Sequence, residues 1–154
     1  MQLPSFHIYH SSAGSGKTFT LVKSYLKIAL SQHERRGFRK LLAITFTNKA
    51  AAEMKDRILD TLLSFAVMNE QDEENGMLQI LISETGLERR LIQVRAKERL
   101  QDILKNYASF HIKTIDSFTN KLIKSFAFDL NLTTDFEVEL DIDSIMKEAV
   151  DAVL

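Results

Sequence analysis

The 154-residue sequence predicts an α/β protein with parallel strands covered by helices, and three observations predict it. Short β-like runs precede helical stretches at three places, an alternation that builds a parallel sheet. One of these runs, Lys40–Phe46, is apolar almost throughout, the pattern of a strand covered on both faces. The composition is 45% hydrophobic and 27% charged, with one proline and five glycines, so a packed core and long, seldom-broken helices are both within reach.

In chain order, FHIYH (Phe6–His10) is the first strand run, and it feeds the stretch HSSAGSGKTFTL (His10–Leu21). A helix from about Lys17 to His33 follows. Its apolar stripe is read as Leu21, Leu26 or Tyr25, Ile28 and Ala29. HERRGF is a polar break that turns at Gly37. The second strand, Lys40–Phe46, leads into a helix capped by Thr47 or Asn48, with Ala51, Met54, Ile58, Leu62 and Phe65 at helical spacing. NEQDEENG reads as a solvated acidic loop. A long polar helix from about Leu87 to Tyr107 shows a rough stripe of Leu87, Leu91, Val94, Leu100, Ile103 and Tyr107. Ser109–Ile115 is the third strand run, and its helix has Asp116 or Ser117 as cap.

The chemistry concentrates at Gly14-Ser15-Gly16-Lys17-Thr18. Glycine inside an element costs roughly 0.5–1 kcal/mol relative to alanine, so two of them here need a reason. Placed between a strand and a helix, they let backbone N–H groups turn inward around phosphate oxygens, and the helix N-terminus adds donors and partial positive charge. Lys17 is suited to bridge the β- and γ-phosphates of ATP, and the Thr18 hydroxyl to hold Mg²⁺. The competing reading is a flexible turn before an ordinary helix. The full phosphate-loop pattern places glycine where Ser11 stands, so the first position departs.

AITFTNKAAAEMKDRIL (Ala43–Leu59) resembles motif Ia of the superfamily 1A helicases, the UvrD/Rep-type and RecB/AddA-type DNA motors. In that family it follows an AGSGKT motif I, matched here by Ala13–Thr18, whose first residue is commonly alanine. TIDSFTNKLIKSF (Thr114–Phe126) resembles the family's DNA-contact motif, with Asp116 where histidine is usual. DLNLTTDFEVELD (Asp129–Asp141) resembles the segment that follows it in RecB/AddA-type nuclease-helicases. Phe19 stands where UvrD/Rep-type members often carry arginine, which favours the RecB-like branch.

The resemblance implies that residues 1–154 are the N-terminal portion of the first RecA-like, P-loop NTPase domain, incomplete by itself, with a largely helical insertion at about 70–108. It implies ATP and Mg²⁺ as cofactors, with Ser11, Ser12, Ala13, Gly14, Ser15, Gly16, Lys17, Thr18 and Phe19 at the nucleotide and Thr18 at the metal. Single-stranded or duplex-end DNA would meet Phe46, Thr47, Asn48, Thr114, Ser117 and Phe118. These residues lie just past strand C-terminal ends, where open α/β sheets bind ligands. Helix capping by the same residues is the plainer reading. Lys49, Lys55 and Arg57 read equally as a basic rim or as a solvated helix face. The implied protein partners are a second RecA-like domain and a nuclease-complex subunit.

Hydrolysis also needs an apolar strand ending in Asp-Glu, and none is present. Asp72-Glu73 sits in a polar loop, and Asp116 lacks a neighbouring glutamate. The period-two acids of DFEVELDID are the pattern of a strand's wet face, followed by first-turn acids of a last helix. The expectation is therefore a piece of a larger motor that binds ATP without turning it over. A small P-loop kinase, with Arg89-Arg90 as its lid-like pair, and a non-catalytic nucleotide-sensing module are the rival readings. A net charge of −1 advertises no bulk affinity for nucleic acid, and the absence of cysteine excludes disulfides and thiolate metal sites. With neither a signal peptide nor a membrane-length apolar run, the expected location is the cytoplasm.

Overall fold

The structure, a computed structural model, describes residues 8, 16–34, 36–69, 76–127 and 142–152. The chain divides into two compact units, Met1–Lys113 and Thr114–Leu154. The first unit holds α1 (Lys17–Ser31), β1 (Leu42–Thr45), α2 (Asn48–Val67), α3 (Gly76–Thr85) and α4 (Arg89–Lys105). β2 (His111–Thr114) joins the units in sequence, and α5 (Ile115–Ser125) and α6 (Ile142–Asp151) follow. The architecture is mixed α/β, with β1 and β2 paired in a two-stranded parallel sheet. Of the run Phe6–His10, only Ile8 lies among the described residues, and it is exposed and outside any strand.

The helix α2 forms as its sequence dictates. Ala51, Met54, Ile58, Leu62 and Phe65 are all buried on one stripe. Each fully buried Leu, Ile or Phe side chain contributes about 1.5–3 kcal/mol, so this one face is a large part of the core. In α1 the buried positions are Val22, Tyr25, Leu26, Ala29 and Leu30. Tyr25, Leu26 and Ala29 of the anticipated stripe are thus buried, while Val22 and Leu30 take the places read for Leu21 and Ile28, because apolar residues occupy both registers and the packing partners decide between them. Leu21 and Ile28 instead line a shallow cleft beside Leu42 and Ile44 of β1. Those two strand residues remain nearly half exposed, so among the described residues β1 is covered on one face rather than two.

The segment 76–109 is helical apart from short connections, and it packs into the core. α3 was not evident in the sequence; its Leu78 and Leu81 are buried. Lys23 and Lys27 of α1 both pair with Glu84 of α3, at 2.6 and 2.8 Å, and tie the two helices together. The most extensive helix–helix contact joins α2 and α4. The inward face of α4 is Ile92, Arg95, Ala96, Arg99 and Ile103; of the anticipated stripe Ile103 is buried and Leu87 and Leu100 pack against the core, whereas Leu91, Val94 and Tyr107 are exposed.

The two inward arginines have a definite task. A helix ends with carbonyls that lack intrahelical partners, and these carry the negative end of its dipole. Arg95 donates from Nη1 to the Leu30 carbonyl at 2.6 Å, and Arg99 donates to the carbonyls of Ala29 (3.1 Å) and Gln32 (2.8 Å). α1 has no basic residue in its own last turn, so α4 supplies the cations from outside. Residues near the start of α4 meet the two carbonyls just past the end of α2. Gln93 donates to the Met68 carbonyl at 2.6 Å and Arg89 to the Asn69 carbonyl at 2.7 Å.

Candidate nucleotide and nucleic-acid contact sites

Ser11, Ser12, Ala13, Gly14 and Ser15 lie outside the described residues. Gly16 is the N-cap of α1, with φ 82° and ψ 18°, a left-handed conformation that L side chains rarely adopt. No atom lies within 4 Å of where a Cβ would stand, so φ rather than crowding demands glycine. Its carbonyl accepts the Thr20 N–H at 2.9 Å, which starts the helix. Lys17 is the first helical residue and is exposed, while Thr18 is second and half-buried. The first turn holds neither an acidic residue nor a side-chain cap, so the positive end of the α1 dipole is left uncompensated by its own side chains.

Phe19 is 43% exposed. It lines an open cleft of about 370 Å³ with Val22, Arg57, Asp60 and Met77, rather than packing wholly into the core. Among the described residues no group of three or more His, Cys, Asp or Glu could hold a metal.

The turn from β1 to α2 presents Phe46, 87% exposed, the highest value among the large exposed hydrophobics. Thr47 is the cap of α2, its Oγ1 accepting the Ala50 N–H at 3.1 Å. Capping uses the oxygen lone pair, so the hydroxyl proton can still be donated to a ligand. Asn48 and Lys49 are exposed beside it, and α2 carries no acid in its first turn. Two of the three basic residues of α2 have local partners. Lys55 sits 5.5 Å from the centre of the Tyr107 ring, and Arg57 pairs with Glu53 at 2.7 Å. One polar residue of this turn escaped sequence reasoning. Thr45 ends an apolar strand with a hydroxyl, and that mismatch was the available signal.

In the second unit, Thr114 caps α5, accepting the Ser117 N–H at 3.2 Å. The cap is therefore neither Asp116 nor Ser117, because the helix begins two residues earlier than the first of those assignments requires and three earlier than the second. Thr114 is buried, Ser117 is exposed and Phe118 is half-buried. Asp116 occupies the first turn, where its negative charge favours the helix but opposes a phosphate. The two turns thus differ in electrostatic character.

Most of the acidic alternation DFEVELDID and the pair Asp72-Glu73 lie outside the described residues; Asp143 is exposed in the first turn of α6. Arg89 of the lid-like pair is engaged at the end of α2. No described helix is long and apolar enough to cross a membrane.

The family described as UvrD/REP helicase N-terminal domain matches the chain over residues 6–153. Among curated relatives, an ATP-dependent helicase/nuclease subunit of Clostridium beijerinckii is 46% identical over 52 residues, covering 34% of this chain and 4% of that protein. The protein of the same name from Alkaliphilus oremlandii is 32% identical over 106 residues, covering 69% and 8%. The RecBCD enzyme subunit RecB of Buchnera aphidicola is 41% identical over 64 residues, covering 38% and 6%. The matches to these relatives span less than a tenth of their length. No solved structure matches the chain.

Proposed function

Because the chain belongs to the UvrD/REP helicase N-terminal domain family, we propose that residues 1–154 form the N-terminal portion of the first RecA-like domain of an ATP-dependent DNA helicase of the RecB/AddA nuclease-helicase kind, with 70–108 as its helical insertion. The single observation that carries the nucleotide reading is the left-handed Gly16 directly ahead of Lys17 and Thr18 at an acid-free helix start. That front suits an anion in conformation, charge and space.

The backbone of Ser11–Gly16 would cradle phosphate oxygens, with Phe19 beside the nucleotide. Lys17 would neutralise charge on the β- and γ-oxygens, and the Thr18 hydroxyl would face Mg²⁺. ATP, when bound, supplies the phosphoryl group whose transfer drives a motor of this kind. The DNA grip assigned to this chain consists of phosphate contacts and stacking, which read no base sequence. Thr47 and Asn48 donate to phosphates and Phe46 offers its ring to a base, with Thr114, Ser117 and Phe118 as the second contact turn. The partners that follow from this reading are single-stranded or duplex-end DNA, a second RecA-like domain and a nuclease-complex subunit, in the cytoplasm where such DNA is processed. With no Asp-Glu pair ending an apolar strand, the chain is assigned ATP binding without turnover.

The test is calorimetric titration with Mg²⁺-ATP. Binding is expected in the unaltered chain and lost in Lys17→Ala, with circular dichroism checking that the variant keeps its fold. Equal binding by both chains, or robust multiple turnover by the unaltered one, would overturn the assignment.

A further inference from the structure

We propose that Thr45 is a positioning residue for the nucleic-acid grip, its hydroxyl clipping the chain across Phe46 so that the ring is held out toward a base. This rests on the reading of the β1–α2 turn as a DNA contact, and it assigns a role to a residue outside the contact set.

The geometry is local. Thr45 Oγ1 lies 3.1 Å from the Thr47 carbonyl oxygen and 3.5 Å from the Lys113 carbonyl oxygen on the neighbouring strand. A hydroxyl has one proton, and 3.5 Å is at the outer limit of a hydrogen bond, so the donation goes to Thr47. The Thr47 carbonyl also accepts the Ala51 N–H at 3.0 Å, which uses both of its lone-pair directions. Thr45 is thereby fastened to the first turn of α2 from the strand side, while Thr47 Oγ1 fastens the same turn at Ala50 from within.

Phe46 stands between the two fastened residues. Its ring has no hydrophobic enclosure to fix it, since it is 87% exposed. Only the backbone on either side restrains where it points. An aromatic side chain in water gains nothing from its exposure, whereas a ring held at a set angle is ready to stack. Threonine at this position combines two properties. The β-branched side chain suits the end of a strand, and the hydroxyl closes the turn. Valine would keep the first property and lose the second.

The experiment measures binding of a short fluorescein-labelled oligothymidylate by anisotropy to the full chain and to Thr45→Val, Thr45→Ser, Phe46→Ala and the double variant Thr45→Val/Phe46→Ala. The expected result is a roughly three- to tenfold weaker affinity for Thr45→Val, the scale of one neutral hydrogen bond, with recovery in Thr45→Ser. In the Phe46→Ala background the Thr45→Val change should have no further effect, because a clip cannot act on a ring that is gone. A Thr45→Val loss that persists in that background marks a general structural role and overturns the inference, as does full affinity in Thr45→Val when Phe46→Ala is impaired. In both of those cases the DNA reading stands. Unchanged affinity in Phe46→Ala removes the DNA reading of this turn, and the role of Thr45 falls with it.

Discussion

Arg99, in the middle of α4 and 1% exposed, donates its Nε–H to the carbonyl of Ala29 at 3.1 Å, near the end of α1. A buried guanidinium is costly unless it is hydrogen-bonded, and a buried helix end is costly unless its carbonyls are met. Each group satisfies the other. The first prediction follows from this mutual dependence. Arg99→Ala should lower stability by about 3 kcal/mol, the range for removing a buried charged hydrogen-bond donor. Arg99→Lys should recover less than half, because an ammonium has no planar fork to reach Ala29 and Gln32 together. Urea denaturation reads both, and a loss below about 1 kcal/mol for Arg99→Ala would contradict this account.

Register on α2 gives the second prediction. Leu62 is fully buried, whereas the adjacent Leu63 is 50% exposed. Leu62→Ala should cost about 2–5 kcal/mol, and Leu63→Ala well under half of that. Comparable losses at the two sites would mean that the helix presents a different face to the core.

Acid sensitivity is expected at Glu84. The hydrogen bonds from Lys23, then Lys27, hold its carboxyl below the usual glutamate range. The unfolded chain therefore takes up the proton first as pH falls. The ion triad stabilises the fold above the ordinary glutamate value of about 4.3, and its contribution fades as pH drops through the lower folded value. Glu84→Gln should lower the thermal midpoint by a few degrees near neutral pH and narrow its gap to the unaltered chain in acid. A constant gap from neutral to strongly acid pH would show that the triad is not the source.

Nucleic-acid binding carries a fourth expectation. Affinity for oligothymidylate should fall linearly in log–log form with salt, and Lys49→Ala should reduce the slope by about 0.7 if it neutralises one phosphate of a single strand. Thr47→Ala joined to Asn48→Ala should weaken binding and also destabilise α2 by about 1 kcal/mol through loss of the cap. Thr47→Ser should keep the cap. A salt slope indifferent to Lys49 would place that residue away from the strand.

The sequence disclosed most where local chemistry and burial agree. α2 was legible in its stripe, Ala51, Met54, Ile58, Leu62 and Phe65, and in its cap, read as Thr47 or Asn48 and found at Thr47, because cap chemistry and burial point the same way there. Gly16 was legible as a glycine that needs a reason, since glycine inside an element is costly, and its φ of 82° is a conformation that L side chains rarely adopt. α4 misled because its inward face is built from Arg95 and Arg99, which a hydrophobic pattern assigns to solvent; their partners are carbonyls distant in sequence. α3 was hidden for a different reason. Its short run Met77–Ile82 is apolar except at Gln79, and periodicity cannot separate a brief buried helix from a strand in such a run. Thr45 was passed over because a threonine suits the end of a strand in any case, and the carbonyl that its hydroxyl meets is set by the turn rather than by the residue type.

The two ends of α1 are finished differently. Arg95 and Arg99 lock the rear, while the front begins at a left-handed Gly16 without a side-chain cap among the described residues. Over a length of about 22 Å, thermal unwinding of this helix must therefore be one-sided. The turn that bears Lys17 can loosen and re-form around an arriving anion, while the remote turns stay still and the interior is not disturbed. Amide exchange should rank the helix accordingly, quick at its start and slow toward its close.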